Sequence, residues 1–90
     1  MKAEEISNSL KKEGYKEVYV WEDVPRFVYD RHCHEYETKL VILSGNIEIE
    51  IDGIKENLIE GKTFIIPAWK YHTGLVGQAG ARYVVGEDKE

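Results

Sequence analysis

The hydrophobic period of the chain changes near residue 14. Before it, Ile6 and Leu10 lie four positions apart and form a narrow apolar stripe, which is typical of a short helix. We predict a helix over residues 3–13 that ends at Gly14, because glycine readily terminates a helix. Two apolar side chains are too few to hold a helix alone, so we expect it to pack on the main body or on a partner subunit.

After Gly14 the apolar residues recur at every second position, which is the period of a half-buried strand. In the clearest case, Ile47, Ile49 and Ile51 alternate with acidic residues, and a tight hairpin turn is predicted at 52–53. The other predicted strands are 18–21, 26–34, 40–43, 64–66, 71–77 and 81–85, with turns at 44–46, 60–62 and 77–80. Short strands separated by close turns predict an antiparallel sandwich or barrel.

The length and charge of the chain limit the classes of protein to which it can belong. The chain has 90 residues and is 42% hydrophobic, which predicts one domain over 1–90, with the helix in 1–14, the barrel in 15–86 and a frayed tail at 87–90. A net charge of −5 with scattered basic residues argues against nucleic-acid binding. With one cysteine, no apolar leader and no membrane-length apolar stretch, we expect a cytoplasmic protein without a membrane association.

Aromatic residues crowd the N-terminal third of the chain, at Tyr15, Tyr19, Trp21 and Phe27. Strand alternation cannot place all four inside so small a core. We therefore expect some of them to form an apolar patch that pairs two copies as a homodimer, with the N-terminal helix packed there. The alternative is a monomer whose aromatic residues cover the open end of the barrel.

The three histidines of the chain carry the candidate chemistry. His32 and His34 lie two apart, so an extended strand points both side chains to one face. Glu37 can return to the same point across a turn, and an antiparallel fold can bring His72 alongside. Three imidazoles and a carboxylate suit transition-metal ions and suit Ca²⁺ or Mg²⁺ poorly. A His-X-His pair alone is weak evidence, since most histidines are ordinary surface or core residues.

The residues around these candidates resemble the two motifs of the cupin family. The first motif reads His32-Cys33-His34-Glu35-Tyr36-Glu37, followed by an apolar strand and Gly45. The second reads Gly61, Pro67 and, five positions later, His72. The resemblance extends from about Tyr19 to Tyr83, which is most of the chain.

The resemblance implies an all-β fold, a double-stranded β-helix or jelly-roll barrel, here with a short N-terminal helix. It implies one divalent transition-metal ion (Fe, Mn, Ni or Zn) held in the barrel by His32, His34, Glu37 and His72. Members include dioxygenases, isomerases, lyases and non-catalytic sensor domains, so the fold alone does not determine the reaction. We expect an enzyme acting on a small organic molecule, an oxygenase first and an isomerase second; the alternative is a non-enzymatic metal or small-ligand binding module.

Three positions depart from the family pattern without removing a ligand. Arg26 and Trp69 stand where glycines are usual, and Val76 stands where an asparagine sometimes occurs. Trp69, in place of one of these glycines, could reshape the turn that leads into His72. Lys39 has the same strand parity as Glu37, so it either faces the interior, where an anionic substrate would pair with it, or a bulge turns it to solvent.

Overall fold

The computed structural model describes residues 2–89 of the chain. Its elements are α1 (Ala3–Lys12), β1 (Glu17–Asp23), β2 (Val28–His32), β3 (Thr38–Ile51), β4 (Ile54–Ile59), β5 (Thr63–Ile66) and β6 (His72–Glu87). Every strand pairing within this range is antiparallel. The predicted all-β fold with a short N-terminal helix is therefore confirmed. The extent of the domain over 1–90 stays a prediction.

Strands β3 and β6 form the long central pair of the fold. β6 also pairs with β1 and β2, and β3 also pairs with β4 and β5. The register of the central pair shifts between Ile42 and Ser44 and again between Gly45 and Ile47. Such bulges bend a strand and increase its twist, so two continuous strands can curve around one core.

The turns predicted at 44–46 and 77–80 are wrong, because β3 and β6 run unbroken through both. Gly45 lies opposite Ala81 with φ +70°. A Cβ on Gly45 would clash with the backbone carbonyl oxygen of Gly80. The glycines therefore mark a bulge where two backbones approach closely, rather than the end of a strand.

The core follows the predicted alternation. Ile47 and Ile49 are buried on the inner side of β3 and pack with residues of β4, β5 and β6. The predicted hairpin is also confirmed, since Asp52 and Gly53 both have positive φ and join Ile51 to Ile54. These contacts fix which face of β3 and β6 lines the interior.

The helix packs on its own barrel. Leu10 is 1% exposed and clusters with Leu43 and Val84, and Ile6 packs partly buried beside them. The helix ends at Lys12, close to the predicted stop. The sequence left open whether the helix packs on the main body or on a partner subunit, and these contacts are with the main body. Within residues 2–89, no helix is long and apolar enough to span a membrane.

The close approach at the bulge predicts unequal effects of two glycine substitutions. Gly45→Ala should destabilise the protein by about 3 kcal/mol or more, because it adds a backbone clash to the cost of a positive φ. Gly53→Ala is the matched control: its φ is +78° and no atom lies within 4 Å of the added Cβ, so about 1 kcal/mol is expected. Urea unfolding measures both, and equal losses would contradict the bulge contact.

Candidate metal centre

The three histidines meet at one point. His32 is the last residue of β2 and pairs with His72, the first residue of β6, while His34 follows β2 by two positions. One ring nitrogen from each lies within 4.8 Å of the others. The ring centroids of His32 are 4.3 Å from His72 and 5.0 Å from His34. We call these residues the three-histidine cluster.

Backbone carbonyls fix two of the three rings. Nδ1 of His32 donates to the carbonyl oxygen of Asp30 at 2.6 Å. Nδ1 of His72 donates to the carbonyl oxygen of Lys70 at 2.9 Å. A carbonyl only accepts, so Nδ1 carries the proton in both neutral rings and Nε2 keeps a lone pair for a cation. Within residues 2–89, Nδ1 of His34 is buried without a hydrogen-bond partner from the protein.

The environment favours neutral imidazoles. Burial lowers the pKa of His34, and the charges of His72 and His32 lower it further, while Glu87 opposes them. Burial also lowers the pKa of His72, against the opposing effect of its hydrogen bond to Lys70. Since only a neutral imidazole binds a metal ion, these shifts prepare the cluster for one.

The turn before His72 contains Trp69, one of the departures from the family pattern. Trp69 has φ +64°, the left-handed conformation that glycine adopts most readily. Its backbone N–H donates to the carbonyl oxygen of His34 at 2.7 Å, which ties this turn to the cluster. Arg26 also has φ +64°. Trp69 keeps this positive φ although it carries a large side chain, and its indole is 64% exposed.

A cavity of about 260 Å³ lies beside the cluster. Its walls are mostly core side chains and aromatic rings: Leu40, Ile47, Ile49, Ile66, Val85, Tyr19, Trp21, Tyr29 and Tyr83. Thr38 also lines it, with a buried hydroxyl that has no partner among the described residues. The cavity can enclose a small, largely apolar molecule and offers it a few polar atoms.

Glu37 lies outside the cluster. Thr38 and Leu40 line the cavity, so strand alternation turns Glu37 and Lys39 to the other face. The Glu37 carboxylate accepts from the Tyr15 hydroxyl at 2.6 Å, and Lys39 Nζ lies 2.6 Å from a Glu13 carboxylate oxygen. The shared parity of Glu37 and Lys39 is confirmed, but both face the α1 side, so Lys39 faces neither the interior nor open solvent. Glu37 as a ligand stays a prediction of the resemblance alone.

Glu87 is the cavity residue that sequence reasoning missed. It is 7% exposed, ends β6 and lines the cavity, so its place in a frayed tail is wrong. Glu90 lies outside the described residues. The Glu87 carboxylate accepts from the hydroxyls of Tyr19 at 2.9 Å and Tyr36 at 3.3 Å. The signal was present, because Glu87 continues the inward parity of Tyr83 and Val85.

A second buried carboxylate, that of Asp23, accepts hydrogen bonds from aromatic side chains that line the cavity. Asp23 accepts from Trp21 Nε1 at 2.9 Å and from the hydroxyls of Tyr29 and Tyr83, each at 2.6 Å. Burial and these hydrogen bonds raise the pKa of both tyrosines. The hydroxyls therefore stay protonated and turned to Asp23, leaving the rings to line the cavity.

Comparisons with known proteins bear on the fold. No family model and no curated protein sequence matches the chain. The solved structures that it resembles include an RmlC-like cupin from Shewanella frigidimarina NCIMB 400, with a TM-score of 0.69, 15% identity and coverage of 81% of this chain and 66% of that one. Another is a cupin superfamily protein from Desulfitobacterium hafniense DCB-2, with a TM-score of 0.68 and 18% identity. That match covers 80% of this chain and 66% of the other protein.

A third similar structure is the DMSP lyase DddQ from Ruegeria pomeroyi DSS-3, with a TM-score of 0.73 and 22% identity. That match covers 81% of this chain but only 38% of the lyase, so this chain spans a minority of the length of that protein. The likeness to these structures agrees with the antiparallel strand pairing described above. The chain has the cupin fold, an all-β double-stranded β-helix with one N-terminal helix.

Proposed function

We propose that this protein binds one divalent transition-metal ion, Fe, Mn, Ni or Zn, through His32, His34 and His72. The observation that carries the proposal is the convergence of one nitrogen from each ring within 4.8 Å. The anchored Nδ1 atoms of His32 and His72 support it, since a histidine ligand usually donates its other ring N–H to a fixed acceptor. Such an ion would supply Lewis-acid or redox chemistry, with positions left for a substrate.

The substrate that we propose is a small, mostly apolar organic molecule. The apolar and aromatic lining supports this, and a cavity of about 260 Å³ limits its size. Oxygenation is the reaction that we propose first, because open positions on a redox-active ion suit O₂. The alternative remains a binding or sensing module, which would hold the same ion without turnover.

The ligand assignment predicts the effect of removing one imidazole. His72→Ala should abolish stoichiometric binding of Zn²⁺ or Ni²⁺, because two imidazoles remain and the cavity gains no donor. In the wild type, an ion at about 100 times its Kd should add about 2.7 kcal/mol of stability. Calorimetric titration and thermal unfolding measure the two effects.

Gln78→Ala is the control for that experiment, since Gln78 is an exposed residue of the same strand. It should bind the ion as the wild type does. A wild type that gains neither bound metal nor thermal stability from any of the four ions would end the proposal.

In the Co²⁺-loaded protein, a change of visible absorption on adding azide would favour the enzyme, and an unchanged spectrum would favour the binding module.

The lowered pKa values of His34 and His72 predict how the metal-free protein responds to acid. The unfolded chain titrates near the ordinary histidine value of about 6.5, above the folded values, so it binds more protons below that pH. Stability should be greatest above pH 6.5 and fall as the pH drops through the folded values. Urea titrations across this range test it, and His34→Gln should reduce the slope. A flat profile in the wild type would be the contrary result.

We also propose that the protein is a homodimer. Of the four N-terminal aromatic residues, Tyr19 packs against the core, whereas Trp21 and Phe27 are 49% and 45% exposed. Val28 and Leu75 face each other across β2 and β6 and are 59% and 47% exposed. β2 pairs only with β6, so its outer edge is free within the described strands. The helix, which packs on its own barrel, is not needed at this interface.

The dimer proposal predicts that charge at this patch separates the copies. Val28→Lys should give a single species of monomer mass by sedimentation at micromolar concentration, because an unpaired ammonium is costly to bury at an interface. The wild type should sediment at twice that mass. Ile54→Lys, at a 73% exposed site on the β3–β4 hairpin, should leave the dimer intact. A monomeric wild type would refute the proposal.

A further inference from the structure

We propose that Glu87, and not Glu37, is the carboxylate that supports divalent-cation binding at the three-histidine cluster. This rests on the proposed function and assigns a role to a side chain outside both sequence motifs. Glu87 lies beyond the group of mutually close ligand atoms. It is therefore a positioning and charge-balancing residue rather than a ligand.

The placement of Glu87 supports the assignment. Among the described residues that line the cavity, Glu87 is the only acidic one. All three histidines of the cluster line the same cavity as Glu87. Tyr36 connects the two groups: its ring stacks on His34 at a centroid distance of 5.3 Å, and its hydroxyl donates to Glu87.

The electrostatics of the cavity favour such a group. A divalent ion would bring two positive charges into a space walled by apolar side chains and neutral imidazoles, and an uncompensated charge is expensive to bury. A carboxylate in the same cavity offsets part of that charge. Lys89 works against it, with Nζ 3.8 Å from Glu87 Oε1, but Lys89 is exposed, so water reduces the effect of its charge without removing it.

Glu37 cannot act in the same way from its position. Its side chain lies on the opposite face of the strand and lines a different cavity with Tyr15 and Glu13. The two glutamates nevertheless make a matched pair, because each accepts a hydrogen bond from a tyrosine hydroxyl. Replacing either by Gln removes one charge while keeping the shape and an acceptor oxygen.

The test compares Glu87→Gln with Glu37→Gln in the full chain by calorimetric titration with Ni²⁺, repeated with Mn²⁺. Glu87→Gln should weaken binding by about 10- to 100-fold, the usual effect of losing a group that supports metal ligands. Glu37→Gln should change the affinity by less than about threefold. Glu87→Asp, which keeps the charge, should recover part of the loss. Thermal unfolding of each metal-free variant separates a folding defect from lost affinity.

Three results would overturn the assignment: equal losses in both variants, a loss confined to Glu37→Gln, or no loss in either. If the wild type itself binds no ion, the proposed function fails, and this inference fails with it for that separate reason.

Lys89→Gln provides a test that does not depend on Glu87→Gln folding. Removing the opposing charge at this exposed site should raise the affinity, and an unchanged or lower affinity would also overturn the assignment.

Discussion

The pairing of β3 with β6 determines which side chains of these two strands line the cavity and which face the helix. Thr38 pairs with Glu87 at one end of this ladder and Glu50 pairs with Thr73 at the other. Side chains alternate between the two faces, so a shift of one residue would turn the interior set outward. The register therefore places Thr38 and Glu87 inside the cavity and sends Glu37 and Lys39 to the helix side. The lining of the apolar cavity and the contact with the helix both depend on this one register.

Tyrosine hydroxyls paired with buried carboxylates are the second organising feature. Asp23 accepts three donors at one part of the cavity wall, and Glu87 accepts two tyrosine hydroxyls at another. A buried carboxylate without donors would be costly, and a buried hydroxyl needs an acceptor. Each pairing satisfies both needs and holds aromatic rings in the wall of the cavity. The many tyrosines thus serve the cavity as well as the core.

The alternating strand around Ile49 and the histidine convergence were predictable from the sequence, whereas the full length of β3 and β6 and the role of Glu87 were missed. Alternation in 47–51 and the spacing of His32 and His34 are local signals, and local geometry follows them. Gly45 and Gly80 were ambiguous, because glycine marks both turns and close backbone contacts, and only the partner strand decides between them. Glu37 matched a family position, but its face depends on the register with β6, which no local pattern encodes. Glu87 carried the right parity, yet its position near the chain end favoured a frayed tail.

The hydrogen bonds from His32 to Asp30 and from His72 to Lys70 have a consequence for selectivity. Each ring is held by the backbone two residues before it, so neither can rotate to follow an incoming ion without losing that bond. The donor atoms are preorganised, and the conformational entropy of ordering them is spent during folding rather than on binding. Two nitrogens held in place accommodate different ion radii unequally. Discrimination between ions would then arise from the separation of these two nitrogens, which the pairing of His32 with His72 sets, rather than from a closing movement of the protein.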